Sequence, residues 1–191
     1  MSYTKSVADH GSVTIAPQAP AVVDLRTLAE AQAYLKTSYG TLATEDTIIK
    51  DLIQSARTWI EEHIGQSIIG KTITAYTDDE INYFVLPMPP VLTVTTVHRI
   101  ALDGSATLLT KNSEYYEIGL TGRAVCTYPT WSTMGTAVIG LKVVYETGMS
   151  EIPKTLKEAC LSLVSHMYYN RGANMGMPAD VIEKLRPFRK L

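Results

Sequence analysis

The stretch Val-Val-Tyr-Glu-Thr-Gly-Met at residues 143–149, followed by Ile152-Pro153, marks the change from a strand pattern to a helix pattern. Glycine suits the turn between them, because it adopts backbone angles that other residues avoid. Proline is favoured in the first turn of a helix, where its missing N–H leaves no bond unmade. The apolar residues beyond it have helical spacing: Leu156, Ala159, Cys160, Leu163, Val164 and Met167. A helix beginning at Pro153 is therefore predicted to follow a sheet.

Before this stretch, between residues 68 and 148, the apolar residues have a period of two, which predicts strands. The predicted strands cover residues 71–77, 83–86, 91–101, 115–118, 124–128 and 137–146. Asp103-Gly104 predicts a hairpin turn, because the glycine tolerates a positive φ. Pro87, Pro89 and Pro90 predict an edge or a bend, since proline cannot donate to a ladder. The connections are short, so the sheet is predicted to be antiparallel.

Helices are predicted on both sides of this region. Asp24 is the predicted N-cap of a first helix through Leu35, and Thr44 the predicted N-cap of a second helix that ends at Gly65. The second helix has a broad apolar face between Ile48 and Ile64, so it is expected to pack against other helices. Near the end of the chain, Pro178 predicts the start of a short helix.

The predicted architecture is α+β, with a helical core of about four helices and an inserted antiparallel β-sheet or hairpin region. Residues 1–21 are predicted to be a mobile N-terminal arm, in which Val13 and Ile15 can add a strand to a neighbouring molecule. Residues 22–191 are predicted to be a single domain. Its helices are expected in residues 25–66 and 153–187, and its β region in residues 68–148.

Composition describes an ordinary soluble globular protein, with 46% hydrophobic and 19% charged residues among 191. The formal charge of −2 gives the chain as a whole no attraction for nucleic acid or an anionic membrane. A membrane helix needs about 20 consecutive apolar residues, which the sequence lacks. The first residues lack the apolar core of a signal peptide, so a cytosolic setting is expected. Cys126 and Cys160 are predicted to be buried free thiols rather than a disulfide.

Residue types that carry chemistry do not form a recognisable motif. Asp78-Asp79-Glu80 falls in a predicted turn, where a solvated loop is favoured over metal or acid–base chemistry. Glu61-Glu62-His63 lacks the two histidines four residues apart that a metalloprotease helix needs. Cys160 and His166 are six residues apart, which places them on different sides of a helix. The sequence therefore predicts no enzyme activity, no metal and no cofactor.

Two features favour contacts with other proteins. Tyr115-Tyr116 and Tyr168-Tyr169 can be interface anchors, although one tyrosine of each pair is expected in the core. The last eight residues carry four cations, at Lys184, Arg186, Arg189 and Lys190. This segment can be a solvated tail, a docking element for an acidic partner, or a DNA contact.

The order of these landmarks over roughly residues 22–190 resembles the head–tail connector family of tailed bacteriophages, whose members are also called adaptor or head-completion proteins. The segments that carry the resemblance are the amphipathic helix 48–64 with Gly65-Gln66-Ser67-Ile68, then 86–91 (Leu-Pro-Met-Pro-Pro-Val), 144–148 (Val-Tyr-Glu-Thr-Gly), Ile152-Pro153, Leu156-Lys157-Glu158-Ala159, 166–171 (His-Met-Tyr-Tyr-Asn-Arg) and 185–189 (Leu-Arg-Pro-Phe-Arg).

The resemblance implies a non-enzymatic structural protein of a virion or virion-like particle, made in the host cytoplasm. Members bind as a ring, commonly of twelve copies, beneath the portal protein. The ring extends the DNA channel, through which DNA passes without sequence-specific binding, and it forms a platform for the next neck or tail protein, such as a stopper. Another neck component, such as a stopper or tail terminator, or a structural protein of a defective prophage or gene-transfer particle, is the alternative.

On this resemblance, the candidate contacts with the portal or another partner lie near the end of the chain. They are Tyr169, Arg171, Lys184, Arg186, Phe188, Arg189 and Lys190.

Overall fold

The computed structural model describes residues 3–6, 12–15, 24–36, 43–77, 83–119, 124–127, 138–170 and 176–189. These residues form four α-helices and nine strands, with the strand region inserted between helices, so the predicted α+β class is confirmed. The chain divides into two compact units, one of Met1–Pro20 with Gly70–Gly148 and one of Ala21–Ile69 with Met149–Leu191. Each unit has a hydrophobic core of its own, and the single domain over residues 22–191 stays a prediction.

The helical unit is built around its longest helix. Its elements are α1 (Leu28–Leu35), α2 (Ala43–Ile64), α3 (Lys154–Tyr169), α4 (Ala179–Leu185) and a 3-10 turn (Arg186–Phe188). Helix α2 contacts α1, α3 and α4. The predicted stripe of α3 is confirmed, since its members are all buried: Leu156, Ala159, Cys160, Leu163, Val164 and Met167. Facing residues of α2 complete this core: Ile49, Ile53, Ala56, Ile60 and Ile64.

The starts of the first two helices differ from the sequence prediction. The N-cap of α1 is Thr27 rather than Asp24, because Thr27 and Glu30 form a reciprocal capping box. The Thr27 side chain accepts from the Glu30 N–H at 3.3 Å, and the Glu30 carboxylate accepts from the Thr27 N–H at 2.9 Å. Asp24 instead accepts from the N–H of Leu25 at 2.7 Å. Helix α2 begins at Ala43, so Thr44 lies inside it and the predicted cap there is wrong.

The strand unit contains two antiparallel sheets. The larger has the order β1 (Tyr3–Ser6), β2 (Ser12–Ile15), β3 (Lys71–Thr77), β9 (Val138–Thr147), β5 (Val91–Ala101) and β6 (Ala106–Leu108). The smaller has the order β4 (Tyr83–Val85), β8 (Ala124–Thr127) and β7 (Tyr115–Ile118). The predicted strands at residues 71–77, 91–101 and 115–118 match their observed bounds.

Two segments of the predicted N-terminal arm form the strands β1 and β2. Strand β2 pairs with β3 through Val13↔Thr77, Thr14↔Tyr76 and Ile15↔Ala75. The strand addition that Val13 and Ile15 suggested therefore takes place on the chain's own sheet.

Asp103-Gly104 forms the predicted hairpin between β5 and β6. Gly104 has a φ of +81°, and the Asp103 carboxylate accepts from the Ser105 N–H at 2.8 Å. Strand β6 was not predicted, because its three residues are too few to show a period. The predicted proline bend is present at residues 87–89, directly before β5. The turn expected at Asp78-Asp79-Glu80 lies outside the described residues.

Candidate interaction surface

The C-terminal segment is positioned by two apolar residues of α4. Helix α4 follows Pro178, and its Val181 and Leu185 are fully buried in the helical core. The other sides of the segment lie away from this pair, and Ile182, Glu183 and Arg186 are exposed there. The sequence pattern thus fixes which face of the C-terminal segment a partner can reach.

The side chain of Lys184 makes its contacts within the helical unit. Its ammonium group donates to the hydroxyl of Ser162 on α3 at 3.2 Å and lies 3.8 Å from the Asp180 carboxylate. The contact with Ser162 ties α4 to α3, whereas Asp180 is on α4 itself. Lys184 therefore has fewer N–H donors available for a partner protein than the sequence alone suggests.

The two described arginines of the segment are the accessible cations. The side chain of Arg186 is 79% exposed and lies 3.7 Å from Glu183, whose side chain is 71% exposed. Such a solvent-exposed pair contributes little to stability, so Arg186 can exchange Glu183 for a carboxylate of another protein. Arg189 is exposed as well. Lys190 lies outside the described residues.

Phe188 anchors the segment. Its ring is half-buried and packs against the helical core. Its carbonyl accepts a hydrogen bond from the side-chain amide of Gln66, a buried residue just beyond the end of α2. Because Phe188 holds the backbone in place, Arg186 and Arg189 are presented from a fixed position.

Tyr169 lies away from the C-terminal segment, beside the end of α1. It is 65% exposed, yet its hydroxyl donates to the Leu35 carbonyl at the end of α1 at 3.0 Å. The neighbouring Tyr168 packs edge-on against it at 5.3 Å between ring centroids. Tyr168 also donates to the carboxylate of Glu45, in the first turn of α2. Arg171 lies outside the described residues.

The length of α2 separates these candidates into two groups. Tyr168 and Tyr169 lie near Glu45 at one end of α2, whereas Phe188 lies at Gln66 beyond the other end. Helix α2 has 22 residues, which at a rise of 1.5 Å each is about 33 Å. Tyr169 and the Arg186–Arg189 segment therefore do not form one contiguous surface.

A second exposed surface lies on the small sheet, and the sequence predicted only one of its residues as an interface residue. Tyr83, Val85, Tyr116 and Ile118 are 39–47% exposed, and only Tyr116 had been considered as an interface residue. Its neighbour Tyr115 is buried, as expected for one member of the pair. The available signal was that β4 is apolar at successive positions and that β7 places Tyr116 and Ile118 on one face, on either side of Glu117.

Cys160 is a free thiol buried in the helical core, as predicted. Burial, with a smaller effect of the Asp24 charge, raises the pKa of this thiol to about 12. The thiol is therefore protonated at neutral pH and is a poor nucleophile. The side chain of Cys126 lies outside the described part of the chain.

Among the described residues, no three His, Cys, Asp or Glu side chains are grouped so that they could hold a metal ion. In the same residues, no helix is long and apolar enough to cross a membrane.

One comparison with known proteins identifies a family. A family model described as "Head completion protein" matches residues 24–178. No curated protein matches the chain.

Three solved structures have the same fold. A chain from the neck of an empty gene transfer agent (GTA) particle, computed with C6 symmetry, superposes with a TM-score of 0.69 at 18% identity, covering 93% of this chain and 95% of its own. A chain from the virion of a native GTA particle gives 0.69 at 19% identity, with coverage of 93% and 95%. A chain from the neck of a native GTA particle, computed with C12 symmetry, gives 0.67 at 18% identity, with coverage of 92% and 94%.

Proposed function

Because this chain belongs to the head completion protein family and is thus a structural protein of the head–tail neck, we propose that it is a head–tail connector subunit. Copies assemble as a ring beneath the portal protein of a phage or gene-transfer particle. The ring extends the DNA channel and gives the next neck or tail protein, such as a stopper, a surface to dock on.

The observation that carries this proposal is the extent of the family match. Residues 24–178 include α1, α2, α3 and the strands from β3 to β9, so helical and strand units are matched together. The resemblance to neck chains from gene-transfer particles supports it, since it covers nearly the whole of both chains. A match limited to one unit would indicate a shared fold element only.

Ring assembly by twelve copies is the second part of the proposal. One similar chain comes from a neck computed with C12 symmetry and another from a neck computed with C6 symmetry. A closed ring needs two different, complementary surfaces on each subunit, because each copy contacts two neighbours head to tail. The portal serves as the template that brings the copies together.

The portal contact is assigned to the C-terminal segment. Arg186 and Arg189 are exposed, and Phe188 and Leu185 fix the backbone that presents them. Arginine binds carboxylates through two parallel N–H groups, so an acidic portal surface is the partner that this segment fits. Lys184 supports the fold around that contact through Ser162. Tyr169 contacts Leu35 near the other end of α2, so it is not part of this contact.

The proposal includes no enzyme activity, cofactor or membrane. DNA passes through the channel without sequence-specific binding, which suits a chain of formal charge −2. Phosphate groups are held by clusters of cations, and a channel with few of them lets DNA slide. The working location is the head–tail interface of the particle, after synthesis in the host cytoplasm.

A co-sedimentation experiment tests this function. The purified chain is mixed with the purified portal ring of the same particle and separated on a density gradient. We expect the chain to sediment with the portal and to saturate at one copy per portal subunit. A folded chain that stays at the top of the gradient contradicts the connector function. Binding only to a portal that already carries another neck protein indicates a stopper or a later neck component.

A further inference from the structure

The small sheet presents an apolar face that points away from its core. Tyr83 and Tyr116 are both paired with Cys126 of β8, and Val85 and Ile118 are both paired with Ala124. Residues directly opposite each other in an antiparallel sheet have side chains on the same face. Two tyrosines thus lie in one row across the sheet and two aliphatic side chains in the next. We call Tyr83, Val85, Tyr116 and Ile118 the apolar quartet.

The opposite face of the same sheet explains why the quartet is exposed. Phe84, Val125 and Tyr115 are buried in the core of the strand unit. Side chains alternate between the faces along a strand, so their neighbours in sequence must point outward. The quartet therefore consists of apolar side chains on the face of the sheet opposite to the one that Phe84, Val125 and Tyr115 bury in the core.

The chemistry of the face favours a protein over nucleic acid. The quartet has no charged side chain, and Glu117 between Tyr116 and Ile118 is paired with Lys111 at 2.6 Å. Binding to DNA or RNA depends on cations that neutralise phosphates. Tyrosine and aliphatic side chains are instead typical of the centre of a protein interface.

The size of the face points to the kind of protein contact. The quartet leaves roughly 300 Å² exposed, if a whole tyrosine side chain is taken as about 200 Å². A stable complex buries about 800 Å² on each partner. The quartet alone is too small to hold two free copies together, but it can add to other contacts once copies are already adjacent.

From these observations we propose that the apolar quartet is a lateral contact of the ring, seated against a second copy of this chain. This inference rests on the proposed connector function. A contact of the quartet with itself would close a dimer, so in a ring it meets a different surface of the next copy. Free subunits stay monomeric because the contact is weak, and the portal makes it effective by placing copies side by side.

Photo-crosslinking in the portal-bound assembly identifies the occupant. Tyr116 is replaced by p-benzoylphenylalanine, the chain is assembled on its portal ring and irradiated, and the linked peptides are mapped by mass spectrometry. We expect adducts between two copies of this chain, outside residues 83–85 and 115–118. An adduct with the portal protein, or no adduct in a ring that electron microscopy shows to be complete, overturns the proposal.

A double variant measures the contribution of the contact. Tyr83→Ser with Tyr116→Ser is compared with Leu92→Ser with Leu102→Ser, which removes two exposed apolar side chains elsewhere in the strand unit. We expect the quartet variant to lower the number of copies bound per portal at least tenfold at a fixed protein concentration, with the control unchanged. Complete rings from the folded quartet variant overturn this inference alone. Failure of the unaltered chain to form rings overturns the connector function, and the lateral contact with it.

Discussion

The phenol of Tyr145 donates a hydrogen bond to the carbonyl of Pro87 at 2.6 Å, across 58 residues of sequence. Tyr145 is fully buried in β9, and Pro87 begins the bend that leads into β5. Two residues later, the Thr147 hydroxyl lies 2.6 Å and 2.7 Å from the carbonyls of Met88 and Pro90. The proline bend is thus held by side chains of the neighbouring strand, because prolines cannot hold it through their own N–H groups.

Removal of the Tyr145 hydroxyl should therefore destabilise the strand unit. We expect Tyr145→Phe to lower the free energy of unfolding by about 1–2 kcal/mol, since a carbonyl loses its partner while the ring still fills its space. Urea unfolding measures this change. Tyr34→Phe, at an exposed position of α1, is the control and should change stability by less than about 0.5 kcal/mol. Equal effects of the two substitutions would argue against a role for the Pro87 contact.

The buried face of α2 gives a sharper test of the helical core. Ile53 is 2% exposed, and Gln54 beside it is exposed. We expect Ile53→Asp to unfold the helical unit, because an unpaired buried carboxylate costs several kcal/mol out of a total of about 5–15 kcal/mol. Gln54→Asp introduces the same side chain and should leave the circular dichroism spectrum unchanged. A folded, soluble Ile53→Asp protein would show that this face does not form the core.

The capping box of α1 predicts a pH-dependent contribution to stability. The Thr27 N–H, more than any other contact, lowers the pKa of the Glu30 carboxyl. A lowered pKa in the folded state means that the contribution is present above the ordinary glutamate pKa and is lost as the pH falls through the folded value. The Thr27 hydroxyl also donates to this carboxylate, at 3.0 Å, and lowers its pKa further. We expect Thr27→Ala, which removes the hydroxyl, to cost about 1 kcal/mol at pH 7 and less in acid. Thr155→Ala, an exposed threonine in α3, is the control; a similar loss there would remove the capping assignment.

The burial of the Cys160 thiol leads to two predictions, which can be tested in the same variant protein. In a Cys126→Ser background, native Cys160 should not react with a disulfide reagent at pH 8, and it should react fully in denaturant. Its pKa is raised by burial to about 12, against about 8.5 in an unfolded chain. The free energy of unfolding should therefore fall as the pH rises from about 8.5 towards 12. Rapid reaction of the native protein would contradict the burial.

The C-terminal arginines can be tested by reversing their charge. We expect Arg186→Glu with Arg189→Glu to abolish binding to the portal ring in the gradient experiment, while the circular dichroism spectrum stays unchanged. Lys50→Glu with Lys154→Glu is matched in charge and exposure and should bind normally. Normal binding of the arginine variant would move the portal contact away from this segment.

Much of this fold is readable from the sequence where the hydrophobic period is long. The stripe of α3 from Leu156 to Met167 and the strand Val91–Ala101 were predicted with their bounds or their buried residues. Short elements were missed, because the three residues of β6 do not establish a period. The N-cap of α1 was misplaced because Asp24 and Thr27 are both good capping residues, and only the Glu30 side chain decides between them.

The interaction surfaces were less predictable than the fold. The cations of the C-terminal segment are visible in the sequence, but their partners are not: Lys184 is tied to Ser162 by packing that sequence spacing does not reveal. The apolar quartet depends on the register of three strands, which sets Tyr83 and Tyr116 in one row although 33 positions separate them. Such juxtapositions arise from tertiary structure alone.

The connector function is tested most directly by electron microscopy of the unaltered chain mixed with the portal ring of its own particle. We expect an added ring of density at the narrow end of the portal, with the symmetry of the portal and one copy of the chain per portal subunit. A portal without added density, in the presence of excess folded chain, would contradict the connector function and assign the chain to a later position in the neck.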